Sequence, residues 1–401
     1  MTSPGQKQQA SDPTRTRRRL RLSVRIACLI AAILCLWPIH ASLMPVVGAM
    51  SPFIAIASLI ATRSLHTVLV LGFVVALIAF FRRRFFCRWM CPTGLCMDSA
   101  SSLGRKLKRK PSHGNILAAW LLLVTLGAAF LGLPLFLWLD PLALFSGLFS
   151  AAASPYSPAA WIPALIFIAL LIACIVSPRL WCGCLCPLGA LQDLLAKLPR
   201  MRRRRQSNSN TEPNHLTRRT ILGTILAFGA AALTLAAART RPRRLRPPGA
   251  VDEQTFSALC TRCGNCIRAC PCGIIQRDTS GPWTSLLTPT LTFENDYCRQ
   301  DCTRCTEVCP NGAIARTPLD AKPNVRIGLP RVDMRICLLG EDRECSACRR
   351  WCPYEAIRYV FDEENYTLVP IVDPARCNGC GACQTACPTE PVKAIRVLPY
   401  N

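Results

Sequence analysis

Histidine is scarce in this sequence, with four residues in 401, and none follows a C-x-x-C pair. The absence of C-x-x-C-H excludes a c-type haem attachment site. His40 and His66 stand at the ends of apolar segments and do not form a facing pair, which disfavours a b-type haem. No Gly-rich phosphate loop, HExxH motif or Ser/His/Asp arrangement is found, so nothing indicates nucleotide-dependent or hydrolytic chemistry.

Acidic residues are also few, with 23 Asp and Glu against 48 Lys and Arg, a formal net charge of +25. Residues 250–401 are nearly neutral, with 17 basic and 18 acidic residues, so the excess lies in residues 1–249. There the basic runs border apolar segments, as expected for residues that set membrane topology and contact lipid headgroups. We therefore predict a membrane partner and no nucleic acid.

Long apolar segments in the N-terminal part predict a bundle of about five membrane-spanning helices, since a span needs about 20 residues. A further segment at 51–62 is expected to insert only partly. The predicted spans are residues 24–47, 67–81, 116–137, 161–176 and 221–238.

Basic loops predict the orientation of these spans. The runs at 15–25, 82–88, 105–110 and 197–205 fall on one side, which the positive-inside rule makes cytoplasmic. Five crossings then place the C-terminal half outside, although the arginines between Arg239 and Arg246 argue against this. Arg218 and Arg219 precede a Gly/Ala-rich apolar stretch, TRRTILGTILAFGAA, and resemble a twin-arginine export signal.

Cysteine is abundant, with 26 residues. Sixteen stand in four runs that end C-x2-C-x3-C-P, the bacterial ferredoxin pattern for 4Fe–4S clusters, whereas zinc sites are closed with four ligands. We predict that these thiolates hold about four 4Fe–4S clusters in an α+β bacterial-ferredoxin-like domain with tandem ferredoxin repeats. The predicted ligands are Cys260, Cys263, Cys266, Cys270, Cys298, Cys302, Cys305, Cys309, Cys337, Cys345, Cys348, Cys352, Cys377, Cys380, Cys383 and Cys387.

The pairing of these runs stays open from spacing alone. The fourth cysteine of such a run ligates a partner cluster, so neighbouring runs, or the outer and the inner runs in a nested arrangement, are expected to exchange it. Cys272 belongs to no run and is expected to be a spare packed thiol.

Two C-x3-C-P motifs follow apolar segments of the N-terminal part: Cys87 with Cys91, and Cys182 with Cys186. Their four thiols would either hold one cluster jointly or mark two sites completed by Cys96 and Cys184. Structural thiols are the alternative. The expected domains are a basic cytoplasmic tail at 1–23, a membrane domain at 24–200, a twin-arginine-like segment with the fifth span at 201–249, and a poly-4Fe–4S ferredoxin domain at 250–401.

These motifs resemble two components of periplasmic redox systems. CRWMCPTG and CGCLCPLGALQD are similar to the NapH/MauN-type membrane polyferredoxins, and the segments CTRCGNCIRACP, CTRCTEVCPNGA and CNGCGACQTACP are similar to the NapG/MauM-type ferredoxins. The chain therefore resembles a fusion of the two. The membrane polyferredoxins usually continue into a cytoplasmic two-cluster ferredoxin, and here the twin-arginine segment follows instead. This weakens the inference that quinol is the electron donor. The resemblance favours the nested pairing of clusters.

The resemblance implies electron transfer from the quinol pool, with quinone as substrate, to a periplasmic oxidoreductase or cytochrome acceptor. It implies an electron carrier or quinol dehydrogenase component in the bacterial inner membrane, with the ferredoxin domain in the periplasm. Two alternatives stay open: an assembly or maturation factor that supplies electrons for metalloenzyme biogenesis, and a membrane ferredoxin that faces the cytoplasm.

Overall fold

The computed structural model describes residues 13–37, 41–64, 69–112, 116–153, 157–207, 225, 229, 243–281, 285–341 and 343–400. Residues 13–207 form a helical half and residues 243–400 a cysteine-rich half. The twin arginines and nearly all of the predicted fifth span lie outside the described residues.

The helical half is built from eleven α-helices in its described residues. After the first helix, five of them begin at a proline. Proline suits the first helical position, because an N–H group there would have no hydrogen-bond partner within the helix. The helices are α1 (Pro13–Leu36), α2 (Met44–Ala49), α3 (Pro52–Thr62), α4 (Val70–Phe81), α5 (Phe85–Trp89), α6 (Pro92–Lys106), α7 (Ile116–Phe130), α8 (Pro141–Leu148), α9 (Ser150–Ala153), α10 (Pro158–Val176) and α11 (Pro187–Ser207).

These helices differ from the predicted spans. Among the described residues, α10 is the one helix that is long and apolar enough to cross a bilayer, while α3, α4 and α7 are apolar but shorter. The first predicted span is not one helix, because α1 ends at Leu36 and α2 begins only at Met44. A bundle of five spans is therefore not confirmed.

The helical half contains an internal repeat, centred on the two C-x3-C-P motifs. The segment CRWMCPTGLCMD at 87–98 aligns with CGCLCPLGALQD at 182–193. The helix after each motif packs against the helix before the other, so α6 lies on α10 and α11 lies on α4. Gly104 makes the first contact possible, since a Cβ there would stand 2.2 Å from the Ile175 carbonyl oxygen. The two repeats are thus interlocked.

A buried hydrogen bond joins the N-termini of α3 and α8. Ser51 caps the N-terminus of α3, and Asp140 caps that of α8 by accepting from the N–H groups of Leu142 and Ala143. The Ser51 hydroxyl donates to Asp140 Oδ1 at 2.6 Å, and neither residue is exposed. Side-chain oxygens satisfy the unpaired donors of a helix start, and here they also fix α3 against α8.

The cysteine-rich half combines short helices with three two-stranded antiparallel sheets, as predicted for an α+β domain. Strand β1 (Ile275–Arg277) pairs with β2 (Pro289–Leu291), β3 (Leu329–Val332) with β6 (Ile395–Leu398), and β4 (Ile357–Asp362) with β5 (Thr367–Val372). In register, Ile275 faces Leu291, Leu329 faces Leu398 and Ile357 faces Val372. The helices are α12 (Glu253–Leu259), α13 (Asn265–Ala269), α14 (Arg304–Glu307), α15 (Ala347–Arg350) and α16 (Ala382–Ala386).

The two halves share one hydrophobic core and a polar contact. Asn265 donates from Nδ2 to the Met44 carbonyl at 3.2 Å, and Arg268 donates from Nη1 to the Ser146 carbonyl at 2.9 Å. The Arg268 guanidinium also lies over the Phe149 ring, 5.9 Å from its centre. Asn265 and Arg268 are both buried, so α13 is held firmly against the end of α8.

Candidate iron–sulfur sites

Four cysteines line one cavity at the start of the cysteine-rich half, which we call site 1: Cys260, Cys263, Cys266 and Cys309. The last of these comes from the second run. Its Sγ donates to Asn311 Oδ1 at 3.2 Å and accepts from the Ile314 N–H at 3.4 Å. Burial raises the pKa of Cys309 to about 12, so deprotonation needs a cation beside it.

Site 2 is the matching cavity, with Cys298, Cys302 and Cys305 joined by Cys270 from the first run. A fully buried lysine, Lys322, supports it by donating from Nζ to the carbonyls of Arg299 and Cys302. Burial raises the pKa of Cys298 to about 11, while the Lys322 charge acts in the opposite direction. Lys322 was not singled out by the sequence, where it is one basic residue among many.

Sites 3 and 4 repeat this exchange in the last third of the chain. Site 3 is a cavity with four cysteines: Cys337, Cys345, Cys348 and Cys387. We assign the four remaining predicted ligands to site 4: Cys352, Cys377, Cys380 and Cys383. Cys352 packs against the hydrophobic cluster that contains Cys383, and it lies close enough to Cys380 to act on its thiol. Burial, followed by the nearby thiolates of Cys352 and Cys377, raises the pKa of Cys380 to about 12. The Ala356 N–H donates to Cys352 Sγ at 3.3 Å.

The runs therefore pair with their neighbours, and the nested pairing favoured by the family resemblance is wrong. Cys270 and Cys309 cross between sites 1 and 2, and Cys352 and Cys387 cross between sites 3 and 4. The reason is the short span from the third to the fourth cysteine of each run. A single helical turn fills it, so the fourth thiol points away from its own cavity into the adjacent one.

The loops that present these thiols depend on backbone positions that only glycine fits well. Gly381 precedes α16 with a φ of +87°, and a Cβ there would lie 2.3 Å from atoms of the Phe293 ring. Gly379 has a φ of +81°, and its Cβ would stand 2.1 Å from the Gly328 carbonyl oxygen. Glycine adopts this left-handed region without a Cβ penalty, which lets the loop fold closely around the Cys380 thiol.

The donor sets suit a cluster better than a single ion. A tetrahedral zinc ion with Zn–S bonds of about 2.3 Å would bring its sulfurs to about 4 Å from one another. In the described part of the chain no three His, Cys, Asp or Glu side chains converge closely enough to hold one ion. A four-iron cube binds one thiolate at each iron, so its ligands surround a cavity, as they do at sites 1, 2 and 3.

A fifth group of four cysteines meets in the helical half. Cys87 and Cys91 of one repeat and Cys182 and Cys186 of the other line a single cavity of about 430 Å³, which we call the helical-half site. The Gly94 N–H donates to Cys91 Sγ at 3.2 Å. Gln192 Nε2 donates to Cys87 Sγ, also at 3.2 Å. The two cysteine pairs thus form one joint site. This is the first of the two arrangements that the sequence left open.

Cys96 and Cys184, the two residues considered as completing ligands, do not join this site. Neither lines the cavity, and Cys184 Sγ lies 3.2 Å from the Ser112 hydroxyl. Cys272, which was expected to be a spare thiol, lies at the edge of the site 2 cavity and is half-buried.

The helical-half site is strongly basic. Asp193 is buried next to it, and hydrogen bonds from Arg83 and Arg84, each 2.7 Å long, outweigh burial and hold the pKa of this carboxyl below its usual value. Positive charge of this kind stabilises thiolates and an anionic cluster. Five arginines line the cavity: Arg21, Arg83, Arg84, Arg88 and Arg179.

Two families of iron–sulfur domains match the chain. A family described as a 4Fe-4S binding domain matches residues 65–111 and 159–206, one match for each repeat of the helical half. A family described as a 4Fe-4S dicluster domain matches residues 259–328 and 343–390. The first of these two segments contains sites 1 and 2, and the second contains all of sites 3 and 4 except Cys337, in agreement with the adjacent pairing.

Curated relatives decide the family. The ferredoxin-type protein NapG of Escherichia coli (strain K12) is 35% identical over 189 residues, which are 45% of this chain and 81% of NapG. This chain belongs to the NapG- and MauM-type ferredoxin family. The methylamine utilization ferredoxin-type protein MauM of Methylobacillus flagellatus is 34% identical over 197 residues, 46% of this chain and 80% of MauM.

The ferredoxin-type protein NapF of Escherichia coli (strain K12) is also similar, with 33% identity over 155 residues, 37% of this chain and 84% of NapF. No solved structure matches this NapG/MauM-type chain. The relatives and the matched domains together identify it as an iron–sulfur protein of electron transfer.

Proposed function

We propose that this protein is a membrane-anchored electron carrier that holds five 4Fe–4S clusters and delivers electrons from quinol to a periplasmic oxidoreductase. The observation that supports this best is the convergence of twenty cysteines into five groups of four. The clusters supply one-electron transfer, and the protein supplies the thiolates, the burial and the hydrogen bonds that set each potential.

Exposed apolar stripes support the membrane anchor. Five residues on one side of α10 are each at least half exposed: Trp161, Leu165, Ile168, Ile172 and Val176. Their spacing of three or four residues defines one face of a helix. An apolar stripe of this length on a helix free of charged side chains is costly in water and stable against lipid. Part of α4, ending at Phe81, is exposed in the same way.

The arrangement of charge supports the proposed sidedness. Four of the five arginines around the helical-half site belong to the basic runs at 15–25 and 82–88, which the positive-inside rule assigns to the cytoplasm. The cysteine-rich half contacts α8 through Ser146. This helix lies between the third and fourth predicted spans, on the side opposite the basic loops, which favours the periplasm. We therefore propose that the chain combines a NapH/MauN-type membrane component with a NapG/MauM-type ferredoxin, exported by a twin-arginine signal at Arg218 and Arg219.

Iron analysis with electron paramagnetic resonance of the anaerobically reduced protein tests the cluster content. Cys91→Ala and Cys186→Ala should each remove the iron and the signal of one cluster, and the double variant should remove no more than either alone. Cys184→Ala is the matched control and should keep all five. Additive losses from the two variants, or none from either, would contradict a shared site.

The electron route is tested in membranes. A quinol analogue such as menadiol should reduce the clusters of the native protein, and the Cys91→Ala variant should be reduced more slowly by at least tenfold. A deletion strain separates a carrier from a maturation factor: a carrier leaves the acceptor enzyme fully assembled but without quinol-dependent turnover. Accumulation of apo-acceptor would refute the carrier function.

Sidedness is tested by a reporter fused after the last residue of the chain. A reporter active only in the periplasm is expected, and replacement of Arg218 and Arg219 by Lys should abolish its export. Activity confined to the cytoplasm would overturn the periplasmic assignment.

A further inference from the structure

We propose that the five sites form one unbranched electron relay in the order helical-half site, site 1, site 2, site 4, site 3. The terminus away from the helical half is then the site of Cys337, Cys345, Cys348 and Cys387, and the site of the C-terminal run is internal. This inference rests on the proposed function, since it requires the sites to hold clusters.

The first step joins the two halves through α8. Pro141, the first residue of α8, lines the helical-half site, and Thr93 of α6 donates to its carbonyl at 2.6 Å. At the other end of the helix the Ser146 carbonyl accepts from Arg268, which lies between Cys266 and Cys270 in the first run. Gly264 and Pro310 line site 1 and lie against the helical half: a Cβ on Gly264 would stand 3.2 Å from Ser150 Cβ, and a Cβ on Gly48 would stand 3.0 Å from Pro310 Cγ. Site 1 is therefore the site of the cysteine-rich half that touches the helical half.

The second step connects sites 1 and 2 by the exchange of ligands. Cys266 of site 1 and Cys270 of site 2 are separated by one turn of α13, and Cys305 and Cys309 are separated by one turn of α14. The two helices also pack directly against each other. Sites 1 and 2 are therefore neighbours, joined by both of the helices that exchange ligands.

The third step departs from the order of the sequence. The backbone N–H of Cys298, a ligand of site 2, donates to the carbonyl of Cys380, a ligand of site 4, at 2.9 Å. Next to this bond the Ile327 N–H donates to the Asn378 carbonyl at 2.8 Å. Gly379, between the two acceptors, packs on the backbone of Gly328 so closely that a Cβ would not fit. The site 4 loop is thus the part of the second dicluster unit that touches site 2.

The last step connects sites 4 and 3 by the second exchange. Cys348 of site 3 lies in α15 and Cys352 of site 4 follows that helix, while Cys383 of site 4 lies in α16 and Cys387 of site 3 follows it. Cys383, Cys387 and Cys337 share one hydrophobic cluster, separate from the core that contains Cys298 and Cys380. Site 3 therefore lies beyond site 4, on the side away from site 2.

Spin coupling between reduced clusters tests this order in the full-length protein. A terminal cluster has one paramagnetic neighbour and an internal cluster has two. We therefore compare the variant Cys377→Ala/Cys380→Ala, without site 4, with the variant Cys337→Ala/Cys345→Ala, without site 3. Both are reduced completely with a strong chemical reductant, and iron content confirms that each has lost one cluster.

Loss of site 4 should leave site 3 magnetically isolated, with slow spin relaxation and no dipolar broadening. Loss of site 3 should leave site 4 coupled to site 2. A relay in sequence order gives the reverse result for each variant: site 3 stays coupled when site 4 is absent, and site 4 becomes isolated when site 3 is absent. Either of these reverse results overturns the proposal.

If a double variant loses a neighbouring cluster as well, the single variants Cys380→Ser and Cys345→Ser replace it. Serine can keep an oxygen-ligated cluster whose signal is shifted and can be followed by itself. The shifted site 4 signal should show two couplings, and the shifted site 3 signal one. Native protein without the iron of five clusters would instead refute the proposed function, a result distinct from a wrong order.

Discussion

Lys322 is a charged side chain that we expect to control the reduction potential of site 2. It is completely buried and donates to the carbonyls of Arg299 and Cys302 within the site 2 loop. A fixed positive charge next to a cluster stabilises the reduced form, which carries one more negative charge. Replacement by Met keeps the length and apolar volume of the side chain and removes the charge, so Lys322→Met should lower the potential.

The size of the shift follows from Coulomb's law. Two unit charges about 7 Å apart in a medium with an effective dielectric constant of about 20 interact by about 2 kcal/mol. A tenfold change in equilibrium corresponds to about 1.4 kcal/mol, or about 59 mV for a one-electron couple, so the expected shift is roughly 100 mV towards lower potential.

An anaerobic redox titration followed by electron paramagnetic resonance measures this shift. The variant also removes the ammonium donor from the carbonyls of Arg299 and Cys302, so iron content must first show that site 2 is assembled. Lys110→Met removes an exposed charge of the helical half and is the control. An assembled site 2 with an unchanged potential would refute the reasoning.

Three further predictions follow from the packing. Cys309→Ala and Cys266→Ala should abolish the same signal, that of site 1, although the two residues belong to different runs; loss of two different signals would restore the nested pairing. Arg268→Ala removes one hydrogen bond and one cation–π contact between the halves, and a hydrogen bond to Asn265 within α13. We expect the contact between the halves to lose about 2–4 kcal/mol and α13 to show faster hydrogen exchange, whereas Arg349→Ala should leave that exchange unchanged. Asp140→Ala removes a helix cap and a buried hydrogen bond and should cost about 2–3 kcal/mol, measured as a lower thermal midpoint, with an unchanged midpoint contradicting the role of the Ser51 bond.

The cysteine sites show how far the sequence alone can lead. The spacing of the runs specifies which thiols a short loop can aim at one cluster, because the loop geometry is local. It does not specify where the fourth thiol goes, since Cys270 and Cys309 meet their partners only through the packing of α13 against α14. The same holds for Cys87 and Cys182, which are 95 positions apart and come together through the interlocked helices of the two repeats.

For the helices, hydropathy predicts which segments are helical but not where each helix ends. Apolar runs predicted the existence of α4, α7 and α10, and prolines mark the start of several helices. The lengths could not be obtained from hydropathy, because α1 ends at Leu36 within an apolar run that continues towards Val47. The polar core pair of Ser51 and Asp140 was also not foreseen, since a serine and an aspartate before prolines look like ordinary helix caps in a sequence.

The interlocked packing of α6 on α10 and α11 on α4 has a consequence for the origin of the helical half. Each repeat supplies two of the four thiols, and neither repeat can enclose a cluster alone. Two copies of a chain with a single C-x3-C-P motif, related by a twofold axis through the cluster, could form the same cavity as a homodimer. Duplication and fusion would then replace an assembly that depends on protein concentration with one in which the effective concentration of the second half is built in. Once the halves were joined, the two could diverge, so that Gln192, which donates to Cys87, now stands where the other repeat has Met97.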